Sequence, residues 1–129
     1  MASSVPAEVE SLLQSEPLAG FLATSVDDRP HVAPLWYQYE DGVVELTTKG
    51  RKLSNIRSNP RVSLAVQKAE AGIPEWMVTL LGTAEVIDDE AEETRVRREV
   101  NEKYGVEPDA YPENTLVEID VGSVSYTIY

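Results

Sequence analysis

The sequence contains no cysteine, a single histidine and no apolar run long enough to cross a bilayer. Without cysteine there can be no disulfide, no thiolate catalysis and no cysteine-ligated zinc, and one histidine cannot form a multi-histidine metal site. A membrane helix needs about 20 consecutive apolar residues. The first ten residues, MASSVPAEVE, lack the basic start and apolar centre of a signal peptide. We therefore expect a soluble, cytoplasmic protein with no bound metal.

Positive charge is also scarce. Eleven Lys and Arg residues face 23 Asp and Glu residues, giving a formal net charge of −12. A field of this sign repels nucleic-acid phosphates and anionic membranes, so neither is an expected partner. A dense acidic coat is typical of proteins from extreme halophiles, because salt screens the self-repulsion. This origin is favoured, and an acidic mesophilic protein is the alternative.

The length of 129 residues predicts one domain, residues 1–129. Six segments have the composition or alternation of strands, and turn residues such as Asp41-Gly42 separate several of them. Pro34 marks its strand as an edge or a bulge, and the last segment, TLVEIDVGSVSYTIY, is either a strand pair or one strand bent at Gly122. Helical spacing predicts short helices near residues 6–14, 51–59 and 89–104. Tightly joined strands are antiparallel, so the prediction is a mainly β fold, a small barrel with short helices.

The basic residues are clustered. Lys49, Arg51 and Lys52 fall within four positions, and five of the eleven basic residues lie between positions 49 and 61. Arg51 and Lys52 occupy the first turn of a predicted helix, where the helix dipole and free N–H groups disfavour cations.

A phosphate group would resolve this conflict. It would accept bonds from the helix N–H groups, from Arg and from Lys, and Gly50 would allow close approach of the backbone. Thr47 and Thr48 add hydroxyl groups beside the same point. The sequence therefore predicts an anion site, the alternative being ordinary solvated cations. The spacing is not that of a nucleotide-hydrolysing P-loop.

The run GFLATSVDDRPHVAPLWYQYEDGVVELTTKGRKLSNIRSNPRVSLAV carries a series of motifs: RPHVAPLW, DG followed by TT, and RKLSNIRSNPRVSL. This series resembles the pyridoxamine 5′-phosphate oxidase-like superfamily of FMN-binding split barrels. The resemblance covers about residues 19 to 67 and continues in GTAEV, residues 82–86.

The resemblance implies a six-stranded antiparallel split barrel of the FMN-binding type, which forms a homodimer with cofactor sites at the subunit interface. It implies that Arg51 and Lys52, with Lys49 and Gly50 beside them, bind the cofactor phosphate and that Thr47 and Thr48 contact phosphate or ribityl oxygens. The residues that would lie alongside the isoalloxazine ring, largely through backbone groups, are His31, Val32, Ala33, Pro34 and Leu35. Gln67 matches a polar residue that faces the ring or phosphate, and Trp36 or a C-terminal aromatic residue would close the pocket.

The sequence departs from the true oxidases at two places. His31 and Trp36 stand where those enzymes have Arg and Lys, and the C-terminal SYTIY lacks their Arg. Activity on pyridoxamine phosphate is therefore not expected. The leading hypothesis is an FMN-dependent oxidoreductase acting on a small-molecule substrate. The alternatives are a deazaflavin-dependent reductase and a non-catalytic protein that stores flavin or haem.

The role of His31 remains open between an acid or base, a haem ligand and a hydrogen-bonded strand residue beside the cofactor. No other catalytic group is indicated by the sequence, since a flavin supplies its own redox chemistry.

Overall fold

A computed structural model describes residues 4–129. Its elements follow one another in the order α1 (Ala7–Leu13), β1 (Gly20–Val26), β2 (Arg29–Leu35), β3 (Gln38–Glu40), β4 (Val43–Thr48), α2 (Arg51–Ser58), β5 (Arg61–Glu70), β6 (Ile73–Ile87), α3 (Glu90–Lys103) and β7 (Thr115–Ile128). Strands dominate, and the three described helices lie where the sequence predicts them.

The strands form one antiparallel sheet in the order β2-β1-β5-β6-β7-β4-β3. Its two edges are β2 and β3, yet only Trp36 and Tyr37 separate these strands in the chain. The sheet must therefore curl until its edges come close, which makes a barrel that stays open along one line. We call the gap between β2 and β3 the seam.

The mainly β split-barrel fold is confirmed, with seven strands among residues 4–129 where the sequence predicts six. The extra strand arises because the segment from Arg29 to Glu40 is divided at the seam into β2 and β3. Pro34 lies on β2, an edge strand, where the missing N–H of proline is tolerated. The C-terminal segment is one strand, β7.

A hydrophobic core fills the interior of the curled sheet. Val9 and Leu13 of α1 and Ile56 of α2 join the strand side chains in this core, so that α1 and α2 are held against the barrel. A smaller cluster of Val96, Val100 and Leu116 fixes α3 against β7. Among residues 4–129, no helix combines the length and the apolar character that a bilayer span requires.

The N-termini of α2 and α3 differ in a way that matters for binding. The Asp89 side chain accepts a hydrogen bond from Glu92 N and caps α3, whose first turn carries three acidic residues. The first turn of α2 has no acidic residue, and its cap residue, Gly50, has φ of 73° and provides no side-chain acceptor. The start of α2 therefore keeps its positive dipole end without a side-chain cap.

The long strands β6 and β7 bend together at a bulge. Leu81 pairs with Ser123 while Gly82 pairs with Val121, so Gly122 is the extra residue. A Cβ atom on Gly82 would lie only 2.6 Å from Asp120 O. This close approach requires glycine at position 82 and lets the sheet curl.

The C-terminal end of α3 satisfies the backbone at the seam. Lys103 Nζ donates a hydrogen bond to Tyr37 O at 2.7 Å and lies 4.2 Å from the centre of the Tyr37 ring. Tyr37 N donates to Tyr104 Oη at 3.3 Å, and Tyr104 Oη donates to Leu18 O at 2.7 Å. Burial lowers the pKa of Lys103 to about 8, whereas burial raises the pKa of Tyr104. The seam thus depends on a partly desolvated ammonium group.

We expect Gly82→Ala to lower the free energy of unfolding by roughly 1–3 kcal/mol, because the new methyl group would overlap backbone atoms. The measurement is urea unfolding. The matched control is Gly122→Ala, whose Cβ would lie 3.3 Å from Leu81 O and which should cost clearly less. If Gly82→Ala and the wild type have equal free energies of unfolding, β7 can move away from a methyl group at position 82 without loss of stability.

We expect the Lys103 side chain to make stability rise between about pH 8 and pH 10. Its pKa in the folded protein is about 8, below the ordinary value of 10.5. In this window the unfolded chain keeps a proton that the folded chain has released, so stability increases with pH. The measurement is the unfolding free energy of wild type minus that of Lys103→Met at pH 7, 8, 9 and 10. A difference that stays flat across this range would contradict the argument.

Candidate functional site

Two cavities flank the edge strand β2. The first has a volume of about 320 Å³ and lies where β2 ends at the seam, beside the first turn of α2. Its lining residues are Pro34, Leu35, Trp36, Thr47, Thr48, Lys49, Lys52, Val100, Asn101, Tyr111 and Asn114. We call it the first cavity. Its lining combines apolar side chains with hydroxyl and ammonium groups, so it suits a ligand with a flat apolar part and an anionic part.

The two lysines of the first cavity differ in their partners. Lys49 Nζ forms an ion pair with Glu113 Oε1 at 2.6 Å, and this bond lowers the pKa of Glu113. Lys52 forms no ion pair with any carboxylate in the part of the chain that the structure describes. In a protein with 23 acidic residues, Lys52 is thus available for an anionic ligand.

The back of the first cavity is held by α3 and the loop that follows it. Trp36 stacks on Tyr104 with ring centres 4.8 Å apart, and Tyr111 meets Trp36 edge-on at 5.8 Å. Asn101 is buried and its Nδ2 donates to Pro108 O and Ala110 O, both at 3.0 Å. These bonds fix the loop that brings Tyr111 and Asn114 to the cavity.

One polar atom at the first cavity lacks a partner. Asn114 Oδ1 is buried and accepts no hydrogen bond from residues 4–129. Leaving such an atom unsatisfied costs about 1–3 kcal/mol. Because this oxygen has almost no accessible surface, a ligand hydroxyl or N–H group in the cavity would bond it only after the Asn114 side chain turns.

The second cavity, of about 280 Å³, lies at the opposite end of β2. It is lined by Val26, Asp27, Arg29, Pro30, His31, Arg51 and Asn55. Within residues 4–129, neither Arg29 nor Arg51 forms an ion pair, and His31 Nδ1 is buried without a hydrogen-bond partner. Asn55 Nδ2 donates to the buried Thr24 Oγ1 at 3.0 Å, which holds α2 against β1.

The helix geometry of α2 separates its two first residues. Successive residues on an α-helix are turned by about 100° because each turn takes 3.6 residues. Lys52 accordingly lines the first cavity and Arg51 the second. Gly50 is the N-cap residue of α2 but has no side chain to accept a hydrogen bond, so both cations lie beside helix N–H groups that no side chain caps.

The predicted site residues divide into three groups. Seven line the first cavity: Thr47, Thr48, Lys49, Lys52, Pro34, Leu35 and Trp36. His31 and Arg51 line the second cavity. The other four, Val32, Ala33, Gly50 and Gln67, line neither cavity. Val32 is 64% exposed on β2, and Gln67 is exposed on β5 opposite Met77.

Several lining residues were not predicted from the sequence: Arg29, Asn55, Val100, Asn101, Tyr111 and Asn114. Arg29 and Asn55 lie within the motifs RPHVAPLW and RKLSNIRSNPRVSL, so the sequence carried a usable signal for both. The other four residues lie outside the quoted motifs and come to the first cavity with α3 and the loop that follows it. Among residues 4–129, no group of three or more His, Cys, Asp or Glu side chains is placed to hold a metal ion.

Solved structures share this fold over almost the whole chain. An F420 reductase is 28% identical, with 94% of this chain and 98% of that chain covered and a TM-score of 0.77. A conserved hypothetical protein from Mycobacterium tuberculosis is 26% identical, with coverage of 98% and 86% and a TM-score of 0.80. An FAD-binding protein from Mesorhizobium loti is 24% identical, with coverage of 95% and 94% and a TM-score of 0.75. No curated protein matches the sequence.

The family model described as pyridoxamine 5′-phosphate oxidase matches residues 5–128. That match includes both cavities and every strand of the sheet. The chain therefore belongs to the pyridoxamine 5′-phosphate oxidase family.

Proposed function

We propose that the protein binds a flavin-type cofactor in the first cavity and uses it as an oxidoreductase on a small molecule. The observation that carries this proposal is the pairing, in one cavity, of an unneutralised Lys52 with an apolar wall and the unsatisfied Asn114 Oδ1. These are the groups that a phosphate, a flat ring and a hydroxyl or N–H group of one ligand would engage.

The phosphate end fits the start of α2. Lys52 provides an ammonium group, and the hydroxyls of Thr47 and Thr48 are at the end of the adjacent strand. The uncapped N–H groups behind Gly50 add donors and the positive end of the helix dipole. Arg51 lies on the other side of the same turn and adds to the positive potential.

The ring end fits the wall formed by Pro34, Leu35 and Trp36. As an edge strand, β2 leaves one side of its backbone without strand partners, and those groups could bond to polar atoms of a ring lying alongside. Trp36 is fixed by its stacking on Tyr104. Such a rigid apolar wall excludes water from one face of a bound ring.

When bound, a flavin or deazaflavin supplies the hydride or electron transfer. Of the described residues that line the first cavity, none is Asp, Glu or His. The protein's own contribution is therefore to bind the cofactor, orient it and exclude water from its ring. Oxidation of pyridoxamine phosphate is not part of the proposal, because Trp36, in the position of a cation in the true oxidases, is engaged in an aromatic stack.

FMN is the leading cofactor and the deazaflavin coenzyme is the second candidate. The similarity to an F420 reductase, 28% identical over nearly the whole chain, favours the deazaflavin coenzyme. A protein that stores flavin or haem without turnover is the alternative from another class. Oxidation of a reduced nicotinamide or deazaflavin donor by the loaded protein would separate an enzyme from a store.

We also propose a homodimer that uses the outer face of the sheet. On this face Phe21 pairs with Ala65 on the neighbouring strand, and Leu81 pairs with Ser63. Val32 lies in the same cross-strand row as Ser63. Phe21, Val32 and Leu81 are 46%, 64% and 58% exposed, and large apolar side chains exposed on one face favour association. Gln67 lies on this face and would reach a partner subunit rather than its own cavities.

We expect Lys52→Ala to weaken FMN binding at least tenfold, which is about 1.4 kcal/mol, because it removes the unpaired ammonium group from the phosphate site. The measurement is flavin fluorescence during titration, with riboflavin titrated in parallel. Wild type should prefer FMN over riboflavin, and the variant should lose that preference. The matched control is Lys68→Ala, because Lys68 pairs with Glu16 at 2.8 Å away from both cavities.

Absence of binding of both FMN and the deazaflavin coenzyme to the wild type would overturn the proposed function, and binding of haem alone would favour the storage alternative. Because the composition is strongly acidic, each titration is made at low salt and again in molar salt. If Lys52→Ala still binds FMN more tightly than riboflavin, the cofactor phosphate does not bind in the first cavity.

For the dimer, we expect Leu81→Asp to dissociate the protein into monomers, because it places a charge in the proposed apolar interface. Sedimentation equilibrium measures the mass. The matched control is Ile128→Asp, since Ile128 is 51% exposed but pairs with Trp76 on the opposite face. A monomeric wild type, or a Leu81→Asp variant that remains dimeric, would refute this interface.

A further inference from the structure

Tyr111, at the first cavity, has a backbone conformation that tyrosine rarely adopts. Its φ is 59°, in the left-handed region that a bulky side chain disfavours, and the proline at position 112 restricts it further toward extended conformations. The other non-glycine residues with positive φ among residues 4–129 are Asp or Ala residues in two-residue turns between paired strands, where such angles are usual. Tyr111 lies in the loop between α3 and β7, so hairpin geometry does not account for its strain.

Several contacts hold the loop in this strained form. Asn114 N donates a hydrogen bond to Tyr111 O at 3.1 Å, and Asn101 Nδ2 donates to the carbonyl oxygen of Ala110, directly before Tyr111. Ion pairs to α3 and to the residue after β4 fix the loop on both sides. The loop thus sets the position of Tyr111 against its backbone preference, and strain of this kind concentrates where residues bind ligands.

The ring of Tyr111 is not used to fill the core. It is 47% exposed and meets Trp36 edge-on, with ring centres 5.8 Å apart and ring planes at 85°. Trp36 already has a stacking partner in Tyr104, so Tyr111 adds only an edge contact to this cluster. Much of its ring surface stays free beside the first cavity, where it can stack on a planar ligand.

The charge around Tyr111 selects among planar ligands. Residues 105–114 contain three acidic residues and no basic one, and the net charge of −12 repels anions at longer range. Lys49 is neutralised by Glu113, and Lys52, the other cation of the first cavity, is taken by the cofactor phosphate in the proposed function. Because the face of a tyrosine ring also attracts cations, an uncharged or cationic ring is favoured here over an anionic one.

We propose that Tyr111 is a substrate-binding residue and that the substrate carries a planar ring without negative charge. This inference rests on the proposed function. The side chains of Pro34, Leu35 and Trp36 are assigned there to the cofactor ring, whereas Tyr111 stands half-exposed at the same cavity. A substrate enters from solvent in every turnover, so an aromatic ring that solvent already reaches is suited to receive it.

Three probes that share a phenyl ring and differ in charge test the substrate class: benzamidine is a cation, benzamide is neutral and benzoate is an anion. Each is titrated at one ionic strength against protein saturated with FMN or with the deazaflavin coenzyme, and the shift of the Trp36 indole N–H resonance gives the dissociation constant. We expect benzamidine and benzamide to bind at least tenfold more tightly than benzoate. Equal affinity for benzoate, or no binding of any probe, contradicts the proposed substrate class.

Tyr111→Gly and Tyr111→Ala separate binding from stability. Both variants remove the ring, but only glycine accepts the positive φ without strain, so Tyr111→Gly should have the higher free energy of unfolding. Both should nevertheless weaken benzamidine binding equally, by about tenfold or about 1.4 kcal/mol. Tyr111→Phe keeps the ring and should bind benzamidine within twofold of wild type. So should the matched control Tyr126→Ala, since Tyr126 is 40% exposed and lies outside both cavities.

The affinity for the cofactor should stay within twofold of wild type in all four variants. If Tyr111→Ala and Tyr111→Gly lose cofactor affinity tenfold, Tyr111 contacts the cofactor and the proposal is wrong, while the proposed function stands. The proposal is also wrong if probe affinity follows stability and falls further in Tyr111→Ala than in Tyr111→Gly, or if both variants bind benzamidine as wild type does. If wild type binds neither cofactor, the proposed function fails and this inference fails with it.

Discussion

The backbone of Tyr37 is the constraint on which the fold depends, because it lies where the sheet has no further strand to pair with. A buried N–H or C=O group without a partner is costly. α3 meets both needs, since Tyr104 Oη accepts from Tyr37 N and Lys103 Nζ donates to Tyr37 O. The ring of Tyr37 is fully buried, and its hydroxyl donates to Leu13 O at 3.3 Å. One residue thus ties the seam to α1, to α3 and to the core.

The first cavity is a consequence of this arrangement. α3 must lie across the seam to satisfy Tyr37, and the same placement sets Val100 and Asn101 opposite the end of β2. Asn101 then holds the loop that carries Asn114. The cavity walls are therefore fixed by contacts that the barrel needs for its own stability. Rigid support of this kind is what a bound ring requires for a defined orientation.

Sequence patterns predicted the parts of the site that lie on consecutive residues. The turn at Asp41-Gly42, with φ of 45° and 83°, the edge position of Pro34 and the helix beginning at Arg51 all follow from local chemistry. Division of the basic cluster between two cavities did not follow, because it depends on how α2 packs against β1. Asn114 was missed for the same reason, since tertiary contacts bring it to the first cavity. The strand count differed because the seam interrupts a segment whose composition is continuous.

The proposed interface and the proposed cofactor site are not independent. Pro34 pairs with Phe21 on the outer face and also lines the first cavity, so the cavity opens at the margin of the face where a second copy would pack. A partner subunit there would shield that margin of the first cavity from water and add to the desolvation of a bound ring. If the dimer binds the cofactor more tightly than the monomer, the cofactor must strengthen the dimer by the same free energy. Cofactor affinity would then depend on protein concentration near the dissociation constant of the dimer.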